Sequence, residues 1–235
     1  MIVSVRSSTV RISATAFGGM AMSNRSSSAI TMSMTVSESM VVPSLINRWE
    51  VLDLTAEKSL LRGMAAQGLR PYLVDWGTPD ANERTFDLAA YIGRLERALA
   101  FVARRAQRAP AVMGYCMGGG YALTAAGTFP SRVAAAASFH GGWLATEKTD
   151  SPHRLAAQMR AQLYVGVAGI DPMFPPEECE RLRAALEAEG CAFELKVYEG
   201  VRHGFSVTGH PVYDRTASEE HWQVLARFFP KVLKA

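Results

Sequence analysis

Cys116 stands in Gly114-Tyr115-Cys116-Met117-Gly118, between a short apolar run and a stretch of small residues. This is the spacing of a nucleophile elbow, with Cys where Ser is commoner. A strand turns sharply into a helix in such an elbow, so the positions two before and two after the nucleophile must be small. The thiol would then sit at a helix N-terminus, where free N–H groups and the helix dipole favour a thiolate. The Met117 N–H would point at the oxyanion formed on an attacked carbonyl, and Leu45, in the loop after an earlier strand, is expected to supply the second donor. An isolated free cysteine is more often a small core residue. The strand–turn–helix context is what singles out Cys116.

A thiol nucleophile needs a base, and the base needs an orienting acid. Along the chain the expected order is nucleophile, acid, histidine. Asp171, in Ala168-Gly169-Ile170-Asp171-Pro172, follows one predicted strand, and His203, in Gly200-Val201-Arg202-His203-Gly204-Phe205, follows the next. His203 would take the thiol proton and later activate water. Asp171 would hold the imidazole tautomer; its plain alternative is a cap before the next helix. Tyr115, Ser44, Ile46, His140 and Phe205 are expected around the substrate, with His140 lining the site or satisfying core hydrogen bonds. His153, His210 and His221 are expected on loop or helix surfaces. Cys179 shares a helix face with Leu182 and Leu186 and is assigned to packing, as is Cys191.

The elements that must position these groups alternate strand and helix after residue 38, which predicts a parallel sheet covered on both faces. Met40-Val41-Val42 is a buried strand ended by Pro43. A helix near 55–67 stops at Gly68, and residues 71–74 form a strand. Leu88, Ile92, Leu95, Leu99 and Val102 make one apolar helical stripe, with Arg94, Glu96, Arg97, Arg104 and Arg105 assigned to a solvated face. Strands are expected at 110–115, 133–139, 163–167 and 193–197, and helices at 117–129, 177–189 and 217–229, the last stopping before Pro230.

The chain's 235 residues suit one α/β domain, and 49% hydrophobic with 20% charged residues is ordinary globular composition. A net charge of +3, with the basic residues scattered, offers no footprint for nucleic acid or a membrane surface. Three cysteines cannot all pair, and no motif has metal-ligand spacing, so a reducing, cytoplasmic setting and no metal are expected. Nothing here sets the oligomeric state. Residues 1–38 are expected to be N-terminal strands or a poorly ordered extension. Val3, Val5, Val10, Ile12, Ile30, Met32, Met34 and Val36 alternate at period two, with turns at Gly18-Gly19 and residues 23–28. A cleaved leader, or an artefact of the gene start, is the other reading of this Ser-, Thr- and Met-rich stretch.

Residues 110–229 resemble the dienelactone hydrolase family. The resemblance rests on Gly114-Tyr115-Cys116-Met117-Gly118-Gly119, Ser138-Phe139-His140-Gly141-Gly142, Asp171 with Pro175-Pro176-Glu177, and His203-Gly204-Phe205. It implies an α/β-hydrolase fold over residues 39–235, mostly parallel with helices on both faces and no large cap domain. It also implies a triad on Cys116, Asp171 and His203, no cofactor, and a small ester or lactone substrate. Residues 43–105 resemble polyhydroxyalkanoate synthases, through Pro43-Ser44-Leu45-Ile46-Asn47-Arg48, Val51-Leu52-Asp53-Leu54 and Asp75-Trp76-Gly77-Thr78-Pro79-Asp80. That group shares the fold and triad but transfers hydroxyacyl groups from coenzyme A. The dienelactone hydrolase family's early-loop glutamate is replaced here near Ser44, and no arginine follows His203-Gly204-Phe205, so a neutral ester is expected rather than an anionic lactone. The expected function is carboxylic-ester hydrolysis through a Cys116 acyl-thioester; the alternatives are a synthase-like acyltransferase and a non-catalytic protein of the same fold. The short stretch between His140 and His153 leaves little room for a synthase cap.

Overall fold

Short apolar runs separated by amphipathic stretches leave one solution: the runs form a buried sheet and the helices cover it. The structure, a computed structural model, describes residues 1–6, 9–13, 37–45, 49–53, 55, 59–77 and 81–233. The strands are β1 (Ile2–Arg6), β2 (Thr9–Ser13), β3 (Ser37–Val42), β4 (Leu69–Asp75), β5 (Ala111–Tyr115), β6 (Ala135–Phe139), β7 (Gln162–Ile170) and β8 (Phe193–Arg202). They make one eight-stranded sheet in the order β2-β1-β4-β3-β5-β6-β7-β8. Every neighbouring pair is parallel except the β1–β2 hairpin.

Alternation along each central strand divides the core between the two faces. Met40 and Val42 of β3 belong to the core cluster that holds residues of α2 (Leu88–Ala103), α3 (Met117–Thr128) and α4 (Pro176–Ala188), while Val41 belongs to the one that holds residues of α1 (Leu60–Ala66) and α5 (Arg215–Leu233). The predicted stripe of α2 is the buried face: Leu95, Leu99 and Val102 are fully covered. Burying each such side chain stabilises the fold by ~1.5–3 kcal/mol. Asp87 caps α2 by accepting the Ala90 N–H at 2.9 Å, and Gly68 takes φ +79° after α1. Between β6 and β7 the chain has only a loop and a 3-10 turn (Pro152–Gln158), which leaves the carboxyl edge of the central strands uncapped there. Among the described residues no helix is long and apolar enough to cross a membrane.

Four expectations are corrected. β7 and β8 run well past residues 167 and 197, to Ile170 and Arg202, because Gly169 and Gly200 are absorbed near the sheet edge, with a register shift at Ala168/Ile170. α1 begins at Leu60 rather than near 55, where Ser59 accepts the Arg62 N–H and caps it. α5 continues through Pro230 to Leu233. Arg94 is buried rather than solvated: the turn at Ala81–Thr85 folds over it, pairing it with Glu83 and placing its guanidinium 4.6 Å from the centre of the Phe86 ring. Ile30, Met32, Met34, Val36, Ile46 and the turns read at 18–19 and 23–28 lie outside the described residues.

Candidate active site

β5 ends at Tyr115 and α3 begins at Met117, so Cys116 alone makes the turn. Its backbone holds φ 55° and ψ −128°, a conformation that costs a non-glycine residue energy and is held by its surroundings. Its N–H donates to the Phe139 carbonyl at 3.2 Å, and its carbonyl accepts the Gly119 N–H at 3.0 Å. The small flanking residues are required sterically. A Cβ on Gly114 would lie 2.0 Å from the Gly118 carbonyl oxygen, and one on Gly118 would lie 2.0 Å from that of Val42. The end of β3 is thus pressed directly onto the elbow.

Asp171 is the first residue after β7 and His203 the first after β8, so the lengthened strands deliver both to the same edge. His203 Nδ1 lies 2.6 Å from Asp171 Oδ2, and the other carboxylate oxygen accepts the Met173 N–H at 2.9 Å. With both oxygens engaged and the side chain 1% exposed, the carboxylate has one orientation. The His203 loop is anchored by Phe205, which is fully buried against Tyr198 with ring centroids 4.9 Å apart. His140 backs the His203 ring edge-on at 5.0 Å, and its Nε2 meets the Ser206 hydroxyl at 3.0 Å. His140 therefore packs behind the His203 ring and is itself 2% exposed.

The remaining ring nitrogen, His203 Nε2, is buried and makes no formed hydrogen bond in this geometry. His203 and the Cys116 sulfur influence each other's ionisation. Burial pushes the Cys116 thiol up, but His203, the Met117 N–H and the Ser44 hydroxyl together outweigh it, and the thiol lies below its ordinary value. Burial pulls His203 down, yet Asp171 and the Cys116 sulfur raise it to about 9. Each shift is toward the charged form of its group. Burial raises both Cys179 and Cys191, so neither shares this property.

A cavity of about 530 Å³ adjoins the elbow through Met117 and Leu45, the two expected oxyanion-hole residues. Its walls include Phe86, Tyr91, Tyr121 and Trp143, with Lys148 and Asp150 among its polar members. These aromatic walls come from distant segments and carried no local sequence signal. Of the residues expected around the substrate, Phe205 and His140 are packed inside, and Ile46 lies outside the described residues. Tyr115 faces a separate cavity of about 470 Å³ on the α1/α5 side, and Ser44 is buried toward the thiol. His221 and His153 are buried rather than on the surface, at 2% and 9% exposure, because Tyr115 and Ser151 respectively provide each with a partner. Among the described residues no three metal-ligating side chains gather.

Similarity to known proteins follows this geometry. The chain is 33% identical over 96 residues to the poly(3-hydroxyalkanoate) polymerase subunit PhaC of Synechocystis sp., covering 40% of this chain and 25% of that one. It is 27% identical over 121 residues to the "Putative carboxymethylenebutenolidase" of Escherichia coli O157:H7, covering 50% of this chain and 44% of that one. The matched stretches span less than half the length of either relative. The fold is similar to that of the "Putative Dienelactone Hydrolase" of Klebsiella pneumoniae, with a TM-score of 0.68, 21% identity, and 83% and 87% of the two chains covered. The model of the dienelactone hydrolase family matches residues 83–233, which include the elbow, Asp171 and His203. The chain belongs to the dienelactone hydrolase family.

Proposed function

We propose that this protein is a carboxylic-ester hydrolase that cleaves small neutral esters or lactones through an acyl-thioester on Cys116. The observation that carries this reading is the short Asp171–His203 contact of 2.6 Å, with His203 lowering the pKa of the thiol at the N-terminus of α3.

The Cys116 thiolate attacks the ester carbonyl, forming a C–S bond and placing negative charge on oxygen. The Met117 N–H, with Leu45 as the second donor, receives that charge. Collapse breaks the C–O bond, and the departing alkoxide takes the proton from His203 Nε2. Water then attacks the thioester while neutral His203 accepts its proton. The second collapse releases the acid and returns the thiolate. The aromatic cavity beside Met117 suits an apolar acyl or alcohol group. The three free cysteines support a cytoplasmic setting.

The acyltransferase reading has one observation in its favour, the partial match to PhaC. A p-nitrophenyl ester chain-length panel, with a dienelactone included, separates the two. Hydrolysis gives free acid without coenzyme A and disappears in Cys116→Ala. Transfer from a hydroxyacyl-coenzyme A thioester without free-acid release would support the acyltransferase instead.

A further inference from the structure

Ser44 lies in the loop that follows β3 and is 3% exposed. Its hydroxyl oxygen is buried and makes no hydrogen bond among the described residues. Such a group destabilises the fold unless an interaction offsets its desolvation. The Trp76 indole N–H donates to the Pro43 carbonyl at 3.0 Å, and Trp76 is wedged edge-on against Tyr91 and Tyr121. On the other side, the Val42 and Pro43 backbone is pressed against Gly118, and Leu45 lines one cavity with Met117, so Ser44 sits beside the elbow, where its hydroxyl favours the Cys116 thiolate.

We propose that Ser44 is a catalytic hydrogen-bond donor to the Cys116 thiolate, holding the nucleophile ionised against His203 before any substrate arrives. This rests on Cys116 being the nucleophile. A neutral thiol is a weak acceptor and leaves the Ser44 proton poorly used, whereas a thiolate accepts it strongly. A carboxylate in the same place would repel the thiolate. The other polar groups around the sulfur act in the same sense or are neutral. His203 faces it from the loop after β8, oriented by Asp171 after β7. His140, after β6, is pulled down to about 3 by burial and by the neighbouring histidines His203, His221 and His210, so it stays uncharged. Tyr115, on β5, spends its hydroxyl on His221. The Ser44 hydroxyl thus favours the thiolate before substrate binds.

The test is the pH dependence of iodoacetamide alkylation at Cys116, read by peptide mass spectrometry in the full chain. Wild type is expected to react with an inflection well below that of an ordinary thiol. In Ser44→Ala the inflection moves up, and alkylation at neutral pH slows by about tenfold because less of the thiol is ionised. Ser44→Thr restores the wild-type profile because it keeps the hydroxyl. Superimposable wild-type and Ser44→Ala profiles, or a change that Ser44→Thr does not reverse, would overturn the proposal. Should Ser44→Ala fail to fold, ultraviolet titration of the wild-type thiolate against Cys116→Ala still decides, because titration at an ordinary thiol pH also overturns it. Loss of the hydrolase reading would show separately, as undiminished ester turnover in Cys116→Ala.

Discussion

The Tyr115 hydroxyl lies 2.7 Å from His221 Nε2, both side chains buried beneath the elbow on the α1/α5 face. The contact ties the last residue of β5 to α5, so the strand that presents Cys116 is braced from below. Tyr115→Phe removes the hydroxyl and leaves a buried imidazole nitrogen without its partner. We expect a loss of about 1–3 kcal/mol in urea unfolding. A midpoint and slope unchanged from wild type would show that the contact contributes nothing.

Stability should fall steeply in acid. His140 and His221 are held neutral by burial, each pulled down to about 3 from an ordinary value of 6.5. The unfolded chain therefore binds protons that the folded chain refuses. Stability from these rings is complete above pH 6.5 and declines as pH falls toward 3, by up to about 1.4 kcal/mol per pH unit for each ring. His203 runs the other way: its protonated state stabilises the fold below pH 6.5, and that contribution is lost as pH rises through about 9. Cys116, lowered, opposes it, because the folded pair exchanges a thiol proton for an imidazolium proton. The acid limb thus belongs to His140 and His221. Chemical denaturation between pH 7 and pH 5 should show a shallower decline in His221→Gln than in wild type.

Cys116, Asp171 and His203 were legible because each follows or ends a strand and sits in a distinctive turn, signals that lie within a few residues of chain. What was not legible depends on tertiary cover. Arg94 looks like a solvated helix residue until the turn at Ala81–Thr85 closes over it. His221 looks like a surface helix residue until Tyr115, far away in sequence, reaches its ring. The glycines at 169 and 200 look like strand ends, yet the β7–β8 pair absorbs them, one beside a register shift. The cavity beside Met117 is the extreme case. Phe86, Tyr91, Tyr121 and Trp143 share no local pattern and converge only because α2, α3 and the loop after β6 meet above β5.

Asp171→Asn keeps the size of the side chain and removes the charge opposite His203 Nδ1. The imidazole loses its preferred tautomer and the stabilisation of its cation. Ester turnover should fall by at least about 100-fold in kcat, with little change in KM. The pH at which His203 titrates should also move down, readable by NMR of the ring. Activity within a few-fold of wild type would remove Asp171 from the machinery.

Trp143 is 50% exposed at the cavity wall, held there at φ 56° by a 2.7 Å hydrogen bond from its N–H to the Met173 carbonyl. A large exposed aromatic beside an apolar cavity suits contact with substrate. Trp143→Ala should raise KM for longer acyl or aromatic esters by about tenfold and leave acetyl esters almost unaffected. Equal effects across the panel would place the bound ester elsewhere.

The central claim is a covalent acyl group on Cys116 during turnover. Rapid acid quench of wild type mixed with p-nitrophenyl acetate, followed by peptide mass spectrometry, reads it directly. One acetyl group should appear on the peptide containing Cys116, none on those containing Cys179 or Cys191, and none in Cys116→Ala, which should also lack turnover. Undiminished hydrolysis by Cys116→Ala, with no acetyl group on the wild-type Cys116 peptide, would contradict the account.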